Sequence, residues 1–285
     1  MQQKGIHWFP GHMKKALRQI EERLNLIDVV VEIVDARCPI SSKNEYLEVI
    51  TKNKNRVIVF SKKDLTSLEE IKPFEEYYTS KGYYPVVCDL NNPQDINLIK
   101  KAIALKGKST TDKYIRRGMK PQPLRAMIIG IPNVGKSTLI NRLSKSSSMS
   151  VANTPGHTRS QQWIKVDKTL DLLDTPGILP PSYEDKLSAI HLALIGAMKI
   201  ENVPESELSS YLLEVLVNKY PEKLKERYSL NDEELANEEL IFKGIARRRG
   251  LLLPGNELDI NKAELLLLKE FKEGLIVKLV LDQLC

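Results

Sequence analysis

The sequence is poor in cysteine, in aromatic residues and in long apolar runs. Of its 285 residues, three are cysteines and 6% are Phe, Trp or Tyr. Cys38, Cys88 and Cys285 are far apart and form no CxxC pair, which argues against disulfides or structural zinc and for a reducing compartment. No apolar stretch approaches the ~18 residues of a membrane span, and the N-terminus lacks a hydrophobic signal core. We therefore expect a folded, cytoplasmic protein with no membrane partner.

Positive charge exceeds negative charge, and the excess is unevenly distributed along the chain. The net charge is +6, yet residues 1–181 hold 29 Lys and Arg against 18 Asp and Glu, whereas residues 182–285 hold 14 against 19. A positive field attracts polyanions, of which RNA is the obvious candidate. Ordinary solubilising charge is the alternative. Three clusters stand out: Lys14, Lys15 and Arg18; Arg116, Arg117 and Lys120; and Lys243, Arg247, Arg248 and Arg249.

The order of apolar runs predicts an α/β domain with a mostly parallel sheet and helices on both faces, followed by a smaller all-α domain. Strands are predicted at residues 28–34, 56–60, 84–88, 124–130, 161–166 and 170–174, and residues 106–123 are predicted to be a loop or a frayed helix end. After Pro180 and Pro181 the strands disappear, and apolar residues at 209–220 and 262–284 recur at helical spacing. We place the domains at residues 1–181 and 182–285.

A complete phosphate-loop motif lies in the middle of the chain. Residues 130–138, GIPNVGKST, fit GxxxxGK[ST] between a predicted strand and an amphipathic helix. Glycines let the backbone N–H groups of Asn133, Val134, Gly135 and Thr138 turn toward phosphates at a helix N-terminus. Lys136 can reach the β- and γ-phosphates, and Ser137 can ligate Mg²⁺. The motif predicts a nucleoside-triphosphate site.

A second phosphate-side element follows at residues 174–177, DTPG, which ends an apolar strand. Asp174 matches the metal-side aspartate of such sites, and the Gly177 N–H is placed to contact a γ-phosphate. Between the two elements lies the polar segment 153–160, in which Thr158 is the candidate to close over Mg²⁺. A simple tight turn is the alternative for DTPG.

The choice of base depends on residues 60–65, FSKKDL, at the end of a predicted strand. An Asp64 carboxylate can accept hydrogen bonds from N1–H and the 2-amino group of guanine, neither of which adenine offers. Lys62 would lie along the base with Lys63 beside it. Ser61 stands where asparagine is usual in Asn-Lys-x-Asp and can make only part of that network, a loss of about 1 kcal/mol.

These motifs occur in an unusual order, because the base-reading element precedes the phosphate loop. Five further segments are distinctive: WFPGHM (8–13), VDARCPISSKN (34–44), IIGIPNVGKSTLINRL (128–143), SQQWIKV (160–166) and LLDTPGI (172–178). In this motif order and in these segments, the chain resembles the circularly permuted ribosome biogenesis GTPase A (RbgA/YlqF) family. Permutation is tolerable because the site gathers at the carboxyl ends of the strands.

The resemblance implies a GTPase that binds GTP and GDP with Mg²⁺ and promotes a late step in assembly of a large ribosomal subunit precursor. It also implies an rRNA-binding helical domain at the C-terminus, no DNA partner and a monomer off the ribosome. Asp89 and Leu90 stand where a small polar or alanine-containing element of the family backs the guanine. Ser61 and this Asp-Leu pair depart from the family pattern. These departures bear more on the affinity for guanine nucleotide than on the preference for guanine.

The hydrolytic residue is less obvious, since Ile178 occupies the position of the water-orienting glutamine of Ras-type enzymes. The resemblance proposes His12 at the start of the first helix, where a neutral imidazole is favoured; a structural helix-start histidine is the alternative. Asn133 resembles asparagines that ligate K⁺ beside the phosphates, or it simply braces the loop. Two further readings stay open: a nucleotide-gated RNA-binding module with negligible turnover, and an ATPase, against which Asp64 argues.

Overall fold

A computed structural model describes residues 6–7, 11–145, 162–179, 182–183, 186–198 and 204–284 of the chain. Within these ranges the strands are β1 Ile6–His7, β2 Val29–Asp35, β3 Asn55–Ser61, β4 Tyr83–Val87, β5 Leu124–Ile129, β6 Gln162–Lys165, β7 Leu170–Asp174 and β8 Ser182–Tyr183. The helices are α1 Gly11–Arg23, α2 Glu45–Thr51, α3 Leu68–Ser80, α4 Pro93–Arg116, α5 Lys136–Lys145, α6 Lys186–Leu194, α7 Glu205–Lys219, α8 Pro221–Tyr228, α9 Glu238–Arg248 and α10 Ile260–Lys272.

The main sheet of the described chain has six strands in the order β4-β3-β2-β5-β7-β6. All neighbours are parallel except β6, which pairs antiparallel with β7 at the edge. The central strand β2, VVVEIVD, is buried along its whole length, as expected for a β-branched strand covered on both faces. The predicted α/β fold with a mostly parallel sheet is confirmed, and all six predicted strands are present.

Helices cover both faces of this sheet. On one face, Phe74 and Tyr78 of α3 pack with Val34, Ile58 and Phe60 in a buried cluster. The register of β2, β3 and β5 places Leu124 on the opposite face, and there Gly107 of α4 approaches it so closely that a Cβ would lie 2.5 Å from the leucine side chain. The parallel strands therefore direct their carboxyl ends to one edge of a covered sheet.

Contacts between residues divide the chain into two compact units. The first contains Met1–Ala189 and Val280–Cys285, and the second contains Ile190–Leu279. In the second unit α10 packs on α7 and α9, with Leu212, Leu216, Phe242, Leu267 and Phe271 buried. The domain boundary near residue 181 stays a prediction, since the first unit also includes residues 182–189 and the last six residues.

The helices differ from the prediction in two places. Residues 106–116 are the C-terminal part of α4, so for them the loop alternative is wrong, and residues 273–284 are not helical, because α10 ends at Lys272. The helix stops at Gly274, which has a φ of +70° and donates its N–H to the Phe271 carbonyl, while Leu275 donates to Glu270. Of the apolar residues at helical spacing, which helical periodicity predicts to face the core, Leu275 and Leu265 are 47% and 43% exposed, whereas Leu268, Phe271 and Leu279 are buried. No helix in the described ranges combines the length and apolarity that crossing a membrane requires.

Candidate nucleotide-binding site

The phosphate loop joins β5 to α5 and lies against the carboxyl end of β2. Three of its residues have left-handed backbone: Gly130 at φ +148°, Asn133 at +62° and Gly135 at +105°. A Cβ on Gly130 would lie 2.5 Å from the Ile33 carbonyl oxygen, so this position requires glycine. The loop ends where α5 begins at Lys136, with Ser137 and Thr138 exposed in its first turn. The free N–H groups of a helix start favour an anion at this position.

Lys136 is buried beside the phosphate loop and is held by it. Its ammonium donates to the Ile131 carbonyl oxygen at 2.6 Å. Burial lowers the pKa of Lys136 to about 8, and the negative charge of Asp174 opposes part of that shift. A partly desolvated ammonium with a single neutral acceptor gains strongly from a phosphate oxygen.

The DTPG segment is pinned against the phosphate loop. Asp174 ends β7 and is buried; the Thr175 hydroxyl donates to the Ile128 carbonyl at 2.6 Å, and the Ile178 N–H donates to the Gly130 carbonyl at 3.3 Å. A Cβ on Gly177 would lie 2.9 Å from the Lys136 ammonium and from the Pro132 backbone, so only glycine fits. The structure thereby brings Lys136, Asp174 and Gly177 together as the sequence predicts.

Ser61 connects the SKKD segment to the phosphate loop. Its hydroxyl is buried, 2.7 Å from the Val134 carbonyl oxygen and 3.0 Å from the Val34 carbonyl oxygen, and it donates between them. Ser61 thus makes the bond to the phosphate loop, which is one part of the contact network expected of an asparagine at this position. Asp64 follows in a 3-10 turn, Lys63–Leu65, and is exposed. Its carboxylate is accessible at the same edge of the sheet.

Lys62 makes a contact that the sequence did not reveal. It has a left-handed backbone, at φ +60°, and its ammonium forms an ion pair with the buried Asp35 at 2.7 Å. Arg37 binds the same carboxylate through Nε at 3.0 Å and Nη2 at 2.9 Å. Burial alone would raise the pKa of Asp35, but the two cations lower it to about 2. In the sequence, this contact is indicated only by Asp35 at the end of the apolar β2 run and by Arg37 just after it.

Asp89 and Leu90, which the sequence predicts to back the base, lie in the loop after β4. The Asp89 N–H donates to the Asp95 carboxylate at 2.8 Å, and Lys63 lies 3.5 Å from the same carboxylate. Leu90 is buried against the phosphate loop, since a Cβ on Gly135 would lie 2.6 Å from its Cδ1. Leu90 therefore contacts the loop itself, so the SKKD strand end, the loop after β4 and the phosphate loop meet at one place.

Asn44 is a second connecting residue that the sequence analysis missed. Its side-chain oxygen caps α2 by accepting from the Tyr46 and Leu47 N–H groups, and its Nδ2 donates to the Ile178 carbonyl at 2.8 Å. It occurs in the SSKN segment, where an asparagine before a helix indicated only a cap. The contact ties the segment after β2 to the DTPG segment.

Two predicted site residues lie outside what the structure describes. The backbone of His12 belongs to the first turn of α1, but its side chain is not among the described residues. Thr158 falls in residues 146–161, which are likewise outside them. The roles predicted for both stay predictions.

Known proteins are similar to this chain over nearly its full length. The family described as 50S ribosome-binding GTPase matches residues 125–241. A ribosome biogenesis GTPase A from Bacillus cereus is 41% identical, covering 97% of this chain and 93% of the relative, and one from Thermotoga maritima is 30% identical, covering 94% and 91%. The crystal structure of GNP-bound YlqF from T. maritima shares the fold, with a TM-score of 0.61 at 24% identity over 94% of this chain and 98% of that one. With this similarity over nearly its full length, the chain belongs to the ribosome biogenesis GTPase A family and is a GTPase.

Proposed function

We propose that this chain hydrolyses GTP to GDP and phosphate and acts in a late step of large ribosomal subunit assembly by binding its rRNA. One observation carries the proposal: the phosphate loop, the DTPG segment and the SKKD segment meet at the carboxyl edge of one sheet. The names of the relatives, ribosome biogenesis GTPase A, support the assembly role.

On the phosphate side, the backbone N–H groups from Asn133 to Thr138 receive the β- and γ-phosphates. Lys136 exchanges the Ile131 carbonyl for phosphate oxygens, and the Gly177 N–H contacts the γ-phosphate. The exposed Ser137 hydroxyl and the Asp174 carboxylate are hard oxygen donors that suit Mg²⁺, and Asn133 offers an amide oxygen that suits K⁺. Such cations, when bound, neutralise negative charge that develops on the phosphates.

On the base side, Asp64 accepts from the guanine N1–H and 2-amino groups, and Lys62 and Lys63 flank the base. Ser61 braces the phosphate loop through the Val134 carbonyl, and Asp89 and Leu90 back the base. Lys62 is restrained by its ion pair with Asp35, which favours a preformed position beside the base.

The water-orienting residue lies outside the DTPG segment. Ile178 is 1% exposed and apolar, and its N–H is already bound to Gly130, so it orients no water. We assign this task to His12, whose backbone lies at the N-terminal end of α1. The positive end of the helix favours the neutral imidazole, which can accept a proton from water.

The rRNA contact is assigned first to the basic linker, Arg116, Arg117 and Lys120, and second to Lys14, Lys15 and Arg18 of α1, of which Arg18 is itself paired with Glu22 at 3.0 Å. The linker residues are exposed, and within the described chain Arg117 and Lys120 form no ion pair. The Lys243–Arg249 cluster is less available, because Arg248 binds Glu234 at 2.8 Å and Arg249 lies 3.7 Å from Glu270. Ion-paired guanidinium groups offer less charge to phosphates.

The testing experiment is nucleotide turnover by the purified chain with GTP or ATP, in K⁺ or Na⁺, with and without large ribosomal subunits. We expect turnover that is selective for GTP, rises with subunits and requires K⁺. Equal turnover of ATP and GTP would contradict the assignment of Asp64 as the residue that selects guanine. Binding of GTP to the subunit-bound chain without turnover under any condition would instead favour a nucleotide-gated RNA-binding module.

A further inference from the structure

The last residues of the chain form a strap, residues 280–284, that is bound to the loop after β2. The Leu281 N–H donates to the Arg37 carbonyl at 2.8 Å, and the Val280 N–H donates to the Glu70 carboxylate at 2.8 Å. Val280, Leu281 and Asp282 are all buried, and Val280 belongs to the cluster formed with α3. The strap is therefore packed as part of the GTPase unit.

Asp282 is the principal polar contact of the strap. One carboxylate oxygen accepts from the Ile40 N–H at 2.6 Å and from the Ser41 N–H at 2.8 Å, and the other accepts from the Ser41 hydroxyl at 2.5 Å. Bonds to a carboxylate are about twice as strong as neutral ones, and removing the carboxylate takes this acceptor from the buried Ser41 N–H. The carboxylate thus fixes the backbone of residues 40 and 41.

The loop that Asp282 fixes reaches both sides of the nucleotide site. At its start, Arg37 holds Asp35, which in turn binds Lys62 on the base side. At its end, Asn44 donates to Ile178 on the phosphate side. The Ser42 hydroxyl additionally accepts from the Asp35 N–H at 2.9 Å, which links the loop back to the end of β2.

We propose that Asp282 is a positioning residue for guanine-nucleotide binding, acting through residues 37–44. The inference rests on the assignment of Lys62 and the DTPG segment to the site under the proposed function. The strap continues directly from the helical unit, which ends at Leu279. A partner that draws the strap away from Arg37, Ile40 and Ser41 through the helical unit therefore weakens nucleotide binding, and nucleotide binding tightens the strap in return.

The direct test compares the dissociation constants of GDP and of a non-hydrolysable GTP analogue for the full-length chain and for Asp282→Ala. We expect both constants to rise by about fivefold or more, the lower end of typical coupling between sites. Glu273→Ala removes an exposed carboxylate from the same terminal region and should stay within about twofold of the wild type. Asp282→Asn keeps one acceptor oxygen, so its dissociation constants should lie between those of Asp282→Ala and Glu273→Ala. This variant replaces Asp282→Ala in the comparison if the alanine variant does not fold.

A reciprocal test uses hydrogen exchange. GDP should slow exchange at the amides of Ile40, Ser41 and Leu281 in the wild type, although none of them belongs to the proposed nucleotide site, and should not slow it at Ile40 and Ser41 in Asp282→Ala. Folded variants with unchanged dissociation constants, together with no GDP-dependent protection at these amides, would overturn the proposal. A wild type that binds no guanine nucleotide would overturn it together with the site assignment, whereas loss of subunit binding alone would affect only the proposed function.

Discussion

Lys136 shows how burial at a single residue prepares a site for an anion. Its pKa of about 8 is lower than usual because the ammonium is buried, and a bound phosphate would raise it again. We therefore expect GTP binding at about pH 8.5 to take up a proton, and affinity to fall by up to about fivefold from pH 8 to pH 9. Calorimetry in two buffers of different ionisation enthalpy measures the uptake. Binding without proton uptake across this range would contradict the assignment.

Asp64 offers a second test at this scale. Changing Asp64→Asn replaces a charged acceptor pair by one carbonyl oxygen and an amino group, which opposes the donors of guanine. We expect the preference for GTP over ITP, which lacks the 2-amino group, to fall by about tenfold or more. Competition binding measures it, with Asp112→Asn in α4 as a matched control. An unchanged GTP-to-ITP ratio would show that another residue reads the base.

The predictability of the site differs from residue to residue for a physical reason. Gly130, Gly135 and Gly177 could be predicted, because close backbone approach demands glycine at fixed offsets and so leaves a motif in the sequence. Asp35 and Asn44 could not, since their roles depend on Lys62 and Ile178, which only the folded chain brings near them. Ser61 departs from the usual asparagine yet still reaches the phosphate loop, a result of the 2.7 Å approach of the Val134 carbonyl.

At the scale of elements, the strands were easier to predict than the ends of the helices. Continuous apolar runs such as β2 predict buried strands irrespective of their neighbours. The polar, basic stretch 106–123 indicated a loop or a frayed helix end, but α4 continues to Arg116, and Gly107 within it makes room for the side chain of Leu124. Conversely, the apolar run beyond Lys272 indicated a helix, and Gly274 ends it. Gly107 has a tertiary packing role and Gly274 has a capping role, and the spacing of apolar residues predicts neither.

The end of α10 gives a prediction about stability. Gly274→Ala forces a residue with a Cβ into the left-handed backbone that closes the helix, at φ +70°. We expect the free energy of unfolding to fall by about 1 kcal/mol. Urea denaturation measures the change, and Glu273→Ala at the preceding exposed position serves as the control. Equal stability of the two variants would show that the helix end shifts at no cost.

At the scale of the whole molecule, the uneven charge predicts where RNA binds. Replacing Arg116, Arg117 and Lys120 together by Gln should weaken binding to large ribosomal subunits and reduce the salt slope of log K by about three. The same replacement of Arg247, Arg248 and Arg249 should have a smaller effect, because Glu234 and Glu270 already pair with that cluster. Binding measured over a range of KCl concentrations separates the two. Equal slopes for the linker variant and the wild type would place the rRNA contact elsewhere.

The strap also determines the order in which the molecule can fold. Ile40 and Asp282 are 242 positions apart, so the chain between them must close before their bond can form. We expect contacts of such long sequence separation to form after the folding barrier, so that their loss accelerates unfolding and leaves refolding nearly unchanged. Stopped-flow measurements on Asp282→Ala should show this asymmetry, and a slowed refolding limb would contradict it. On this expectation, the segment to which we assign the positioning of the nucleotide site is the last to dock when the protein folds and the first to detach when it unfolds.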